Sequence, residues 1–286
     1  MPPHKTRAKP RPKPRGNPES RVDGPTAGSA APPATGERMN PPAAGVKVRM
    51  YRTGLGDCFL LALPKTATAA DGRDVFYILI DCGVFYGTPG GNDWIRTIAA
   101  DIKAATRETD DGDSPSRIDV LAVTHEHWDH VSGFHKRQAQ DIFKTIGLGV
   151  LWMAWTEDLR IDLARQLHSG RKTALRALAT VAHQHFGDRS DDETAALVNK
   201  VLGFFAVGAG DGLAAAEVFA AKKSVMTEEA MLWLKNEYGK GKTEFLHPGG
   251  PAPLVLPVTP EARVYVLGPP EDSVLIRLSD PKGDEV

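Results

Sequence analysis

The chain has 286 residues, 41% hydrophobic and 25% charged, so it can bury one large core or two small ones. Lys+Arg 35 against Asp+Glu 36 gives −1, which excludes an overall basic balance of the kind that marks a nucleic-acid or membrane binder. No run of about 18 apolar residues is present, so no membrane span is expected, and no apolar stretch follows the N-terminal charges as a secretory signal would require.

Residues 1–45 differ from the rest. They hold 11 of the 22 prolines and eight Lys/Arg against three Asp/Glu, a net of +5 that leaves −6 for residues 46–286. With no aromatic, Leu, Ile or Phe, this segment has little to bury against the entropy of ordering, and it is expected to be a disordered basic tail, dispensable for folding. Its alternating cations, Lys5 to Arg15, could touch phosphates, or the tail could be solvated without a dedicated partner. Cys58 and Cys82, both on apolar segments, read as buried thiols of a cytoplasmic protein, with a bridge between them left to geometry.

From residue 46 the pattern predicts a hairpin, Val46 to Tyr51 and Cys58 to Leu63, about the turn Thr53 to Asp57. Val75 to Ile80 is a strand buried on both faces, ended by Asp81-Cys82-Gly83. A helix capped by Asn92 or Asp93 runs through Ile95, Ile98 and Ile102, and Arg117 to Thr124 is a second buried strand. Further on, Gly149 to Trp155 reads as a strand, and Glu157 to Phe186, Asp191 to Ala206 and Thr227 to Tyr238 as helices. Ala262 to Leu267 and Val274 to Leu278 read as closing strands. Strands at both ends with helices between them indicate one layered α/β domain over residues 46–286.

The chemistry concentrates in Thr124-His125-Glu126-His127-Trp128-Asp129-His130, where a buried strand gives way to a loop; four of the nine histidines fall between Thr124 and His135. Imidazole nitrogen and carboxylate oxygen suit Zn²⁺, and also Mn²⁺ or Fe²⁺. His125 and His127 can hold one ion, and Asp129 and His130 can swing towards a second.

These residues resemble the metallo-β-lactamase superfamily, whose signature His-X-His-X-Asp-His is complete at His125, His127, Asp129 and His130; Asp81 matches the aspartate of its first motif, which supports the metal site from behind. The resemblance implies an αββα sandwich, one or two Zn²⁺ ions, and hydrolysis of an ester or phosphodiester by a metal-bound hydroxide oriented by Asp129. Gly54-Leu55-Gly56-Asp57 and Val266-Leu267-Gly268-Pro269-Pro270 are similar to the ComEC-type, DNA-uptake-related branch, which favours a phosphodiester and brings in nucleic acid as a partner. The later bridging aspartate in a Thr/Ser-Gly-Asp strand end and the final histidine are missing, so the domain reads as truncated at its C-terminal end and a poor binder of metal. Asp280 lacks the right setting, His168, His183 and His185 lie on a predicted helix, and His247 is the best remaining candidate ligand. The alternative is a degenerate domain serving as a non-catalytic binding or regulatory module.

Overall fold

The computed structural model describes residues 36–66, 71–186, 193–207, 225–250 and 253–277. The basic segment up to residue 35, the glycine-rich interval from Gly208, the side chains of His183 and His185, and Asp280 with the polar end lie outside the described residues.

Six strands form one mixed sheet in sequential order: β1 (Lys47–Met50), β2 (Phe59–Pro64), β3 (Val75–Ile80), β4 (Ser116–Val123), β5 (Ile146–Ala154) and β6 (Thr243–Leu246). The first three pair antiparallel as a meander, with Phe59 opposite Ile80, and β3 to β6 run parallel. Parallel neighbours need crossovers. Helix α1 (Gly91–Ala105) supplies the one between β3 and β4. The β4-to-β5 connection carries the short helices α2 (Trp128–Val131) and α3 (Gln140–Phe143). The β5-to-β6 connection carries α4 (Asp162–Phe186), α5 (Glu193–Phe204) and α6 (Met226–Trp233).

Strand alternation sends the two faces of the sheet into different cores. Val75, Tyr77 and Leu79 of β3 join Ile95 and Ile102 of α1, Leu121 of β4 and Met231 of α6. Phe76 and Ile78 turn the other way, against Trp152, Leu256 and Val258, under a two-stranded antiparallel ribbon of β7 (Leu254–Leu256) and β8 (Ala262–Val264). Backbone bonds from Thr66 to Pro257 and from Thr259 to Pro64 stitch that ribbon to the end of β2. The fold is therefore mixed α/β with a central mixed sheet, as expected for a metallo-β-lactamase-like domain, and among the described residues two short strands cover the face opposite the helices.

Several expectations need correction. Packed chain begins before Val46: Met39 is fully buried, its amide bonds the Ala105 carbonyl, and Arg38 pairs with Asp74. One long apolar side chain can anchor a segment that its composition marks as unfoldable. Met39→Ala should therefore cost about 2–5 kcal/mol of stability, read by denaturant unfolding. Removal of everything before Val46 should lower the melting temperature, contrary to the expected dispensability. Helix α1 starts at Gly91 with Gly90 as its N-cap, at a left-handed φ of 70° that glycine adopts readily, and no side chain caps it. The expected strand from Val274 to Leu278 is not formed over its described part, Val274 to Arg277, and Leu278 lies outside the described residues: Asp272 Oδ1 accepts the amides of Val274 and Leu275 and winds Leu275–Arg277 into a 3-10 turn. The cysteines Cys58 and Cys82 are buried and free.

Candidate metal centre

The site lies at the C-terminal ends of β3 and β4, where ligands gather in parallel sheets. Asp81 ends β3 in a left-handed conformation, φ 52°, which aspartate tolerates better than most residues and which turns its carboxylate across to β4. There Oδ1 accepts the Thr124 amide at 2.9 Å, while Oδ2 accepts the Thr124 hydroxyl at 2.6 Å and faces His130 Nδ1 at 2.9 Å. Because Thr124 Oγ1 donates to Asp81, it accepts from His125 Nδ1, 2.9 Å away, and that puts the proton of His125 on Nδ1. His130 likewise gives its Nδ1 proton to Asp81. One carboxylate thus sets two imidazoles, one directly and one through Thr124, and leaves both Nε2 atoms as acceptors.

The remaining motif residues close around those atoms. His125 Nε2 lies 3.0 Å from His127 Nδ1, the His125 and His130 rings are 3.9 Å apart between centroids, and His130 Nε2 lies 3.8 Å from Asp129 Oδ2. His125, His127, Asp129 and His130 are brought together, with Asp81 behind them. Burial lowers the pKa of His125 and His127, the latter to about 4 with repulsion from His125 and His130 added. Burial also opposes charge on His130, but its bond to Asp81 and the nearby Asp129 and Asp57 carboxylates outweigh that and raise its pKa. Burial raises Asp129 as well.

The lowered pKa values favour the neutral form of His125 and His127 that a divalent cation requires. The more telling atom is Asp129 Oδ1, which is buried without a hydrogen-bond partner among the described residues. An orphaned carboxylate oxygen on the residue next to His130, in a cluster of three imidazoles, is the kind of group an ion or an ordered water satisfies, so the chemistry of the donor set fits a divalent metal.

Two glycines that carry no chemistry make this geometry accessible. A Cβ on Gly83 would sit 2.2 Å from the Asp129 carbonyl, and one on Gly56 would sit 2.3 Å from the Gly83 carbonyl oxygen. The three backbones are clasped by Asp57 N to Asp129 O and Gly83 N to Asp57 O, both 3.1 Å. The aromatic rings of Phe204 and Phe205, at the end of α5, wall off His127 at centroid distances of 5.4 and 4.8 Å.

Elsewhere the expectations divide. His247 follows β6, two strands from β4 and so about 10 Å away across the sheet, where it pairs with Glu271. Glu126, within the motif but outside its His-X-His-X-Asp-His signature positions, is buried and bonds Arg171 at 2.7 Å; burial pushes its pKa up to about 7. Together with Glu157 and His168 it forms a group whose donor atoms lie within 4.8 Å of one another. Arg171 and Lys235 already compensate those two carboxylates, which makes an internal ion-pair network the simpler reading. Trp128 is a core side chain.

The family model of the metallo-beta-lactamase superfamily matches residues 72–272, from the approach to β3 to the loop beyond β8. This chain belongs to the metallo-beta-lactamase superfamily. Membership points to a metal-dependent hydrolase, and Asp81 and the His125–His130 motif both fall inside the matched span. No curated protein and no solved structure matches the chain. Among the described residues no helix is long and apolar enough to cross a membrane.

Proposed function

We propose that the chain is a hydrolase of phosphodiesters whose His125, His127, Asp129 and His130 hold one or two zinc ions. The observation that carries this is the clustering of the His125, His127 and His130 rings, with Asp129 Oδ2 3.8 Å from His130 Nε2 and Asp129 Oδ1 buried without a partner among the described residues. When bound, the ion lowers the pKa of a water molecule and polarises the substrate's oxygen. The chain's own part is positional. Asp81 holds His130 directly and His125 through Thr124, so both rings present Nε2. Asp129 offers Oδ2 beside His130 and uses Oδ1 to accept a hydrogen from the attacking water, which orients it. Phe204 and Phe205 keep bulk water away from the His127 side.

The phosphodiester choice is supported by the Gly54-Leu55-Gly56-Asp57 turn of the ComEC-like branch, whose glycine and aspartate backbones touch Gly83 and Asp129. The free buried thiols of Cys58 and Cys82 support a reducing, cytoplasmic setting. The test is metal content by elemental analysis together with the rate on bis(p-nitrophenyl) phosphate, for this chain and for His127→Ala. We expect zinc in the unmutated chain and a measurable rate, with both reduced at least tenfold in the variant, in line with the loss of one ligand. Zinc retained without turnover of any phosphodiester would favour the non-catalytic binding module. A chain free of zinc after supplementation would remove the metal-site reading altogether.

A further inference from the structure

Beside the metal centre lies a cavity of about 410 Å³ roofed by the loop from β3 to α1. It is continuous with the site through the chain itself: Val84 follows the Asp81 segment, Trp128 follows His127, and Phe85 packs edge-on against Phe204, the same ring that touches His127. No group described so far uses it.

Three features of its lining point to one kind of occupant. First, the N-terminus of α1 opens into it through Gly90, Gly91 and Asn92. A 15-residue helix turns the positive end of its dipole there; the Gly91 amide is given to the Thr88 carbonyl, and no side chain caps the amides that follow. Gly87 and Gly90 have left-handed φ values of 79° and 70°, and a Cβ at either would meet nothing within 4 Å, so the loop leaves open space in front of the helix. Second, Arg137 lines the same cavity and adds a cation. Third, Gln138 lines it while only 6% exposed, and its Oε1 is buried with no partner among the described residues. Its Nε2 is already spent on Asn92 Oδ1 at 2.7 Å, so the amide is held in one orientation with the acceptor left over. A buried acceptor without a donor is costly unless a ligand supplies one. The rest of the wall is apolar or aromatic, formed by Phe85, Tyr86 and Met226.

We propose that this cavity binds the nucleoside monophosphate portion of the substrate: phosphate at the α1 N-terminus and Arg137, a base or sugar donor on Gln138 Oε1, and the flat body of the base against Phe85 and Tyr86. The volume is within the range of small-ligand sites. This assignment rests on the phosphodiester reading for its biological sense, since a nucleoside monophosphate is what phosphodiester hydrolysis of a nucleic acid releases, but the binding itself needs no metal.

Calorimetric titration of the chelator-treated full chain with adenosine 5′-monophosphate, adenosine and inorganic phosphate tests it independently of turnover. The nucleotide should bind at least tenfold more tightly than adenosine or phosphate alone. Arg137→Met and Gln138→Leu should each weaken nucleotide binding at least tenfold. Arg137 is surface-exposed, so its variant remains informative should Gln138→Leu perturb folding. Absence of nucleotide binding, binding no tighter than that of phosphate or of adenosine, or unchanged binding in the Arg137 variant would overturn the proposal. A chain that binds the nucleotide but hydrolyses no phosphodiester would sink the proposed function and leave the pocket standing.

Discussion

Gly83→Ala is expected to cost the chain its metal, lowering affinity about 100-fold, the upper end of what displaced supporting groups do, although alanine introduces no ligand and removes none. The added methyl would stand 2.2 Å from Asp129 C and O and 2.4 Å from His130 N, all backbone atoms with no rotamer to escape into. Gly83 does not sit at positive φ, so the effect is steric contact and not backbone strain. Relief requires the loop after Asp81 to retreat from the motif, which breaks the Gly83 N to Asp57 O and Cys82 N to His130 O bonds that seat it. Displacement of that loop moves the Asp81 carboxylate away from His130 and Thr124, and the orientation of both imidazoles goes with it. Overpacking of this kind also costs about 1–3 kcal/mol of stability. Zinc titration with a competing chelator, run beside Gly112→Ala, whose added methyl meets nothing within 4 Å, reads the difference. Wild-type zinc affinity in Gly83→Ala would show that the backbone clasp does not set the site.

That prediction could not have been drawn from the sequence, and the reason separates what was legible from what was not. Strand β3 was readable because it is an unbroken apolar run, and β4 because its second half, Val120 to Val123, is one; buried parallel strands have that texture for a physical reason: both faces are covered. The motif was readable because it packs its chemistry into six consecutive positions, and Asp81 because it ends an apolar run. Thr124 gave no signal, since its role is to relay a hydrogen bond between Asp81 and His125 across 43 residues of sequence. The fit of Gly83 and Gly56 against Asp129 is likewise a property of three strand ends meeting. Strand β7, three residues long amid prolines and glycines, shows no periodicity to count. Met39 is a single apolar residue in a polar, proline-rich segment, and its partner surface on α1 lies more than 50 residues away. Sequence patterns report elements that repeat, and single residues that act at a distance escape them.

The sharpest stability prediction concerns a site that no motif touches. Arg73, at the entry to β3, faces Asp119 in the middle of β4, and the two side chains are 8% and 6% exposed. Arg73 reaches both carboxylate oxygens, with Nη1 3.1 Å from Oδ2, and also holds Asp71. Asp119 Oδ2 in turn accepts the Tyr77 amide at 2.8 Å, which ties the carboxylate into the β3 backbone. Removing one partner of such a pair leaves an uncompensated buried charge, so Arg73→Ala should destabilise the domain by about 3–5 kcal/mol. The nearest remaining cation, Arg117 Nε, is 3.8 Å from Asp119 Oδ1 on a half-exposed side chain, which places the loss towards the lower end of that range. Denaturant unfolding at pH 7 measures the cost. The double variant Arg73→Ala with Asp119→Asn should recover more than half of it, because the amide oxygen still accepts from Tyr77 while the buried charge is gone. If the double variant is no more stable than Arg73→Ala, the destabilisation comes from lost packing of the arginine stem, and the charge-compensation account fails.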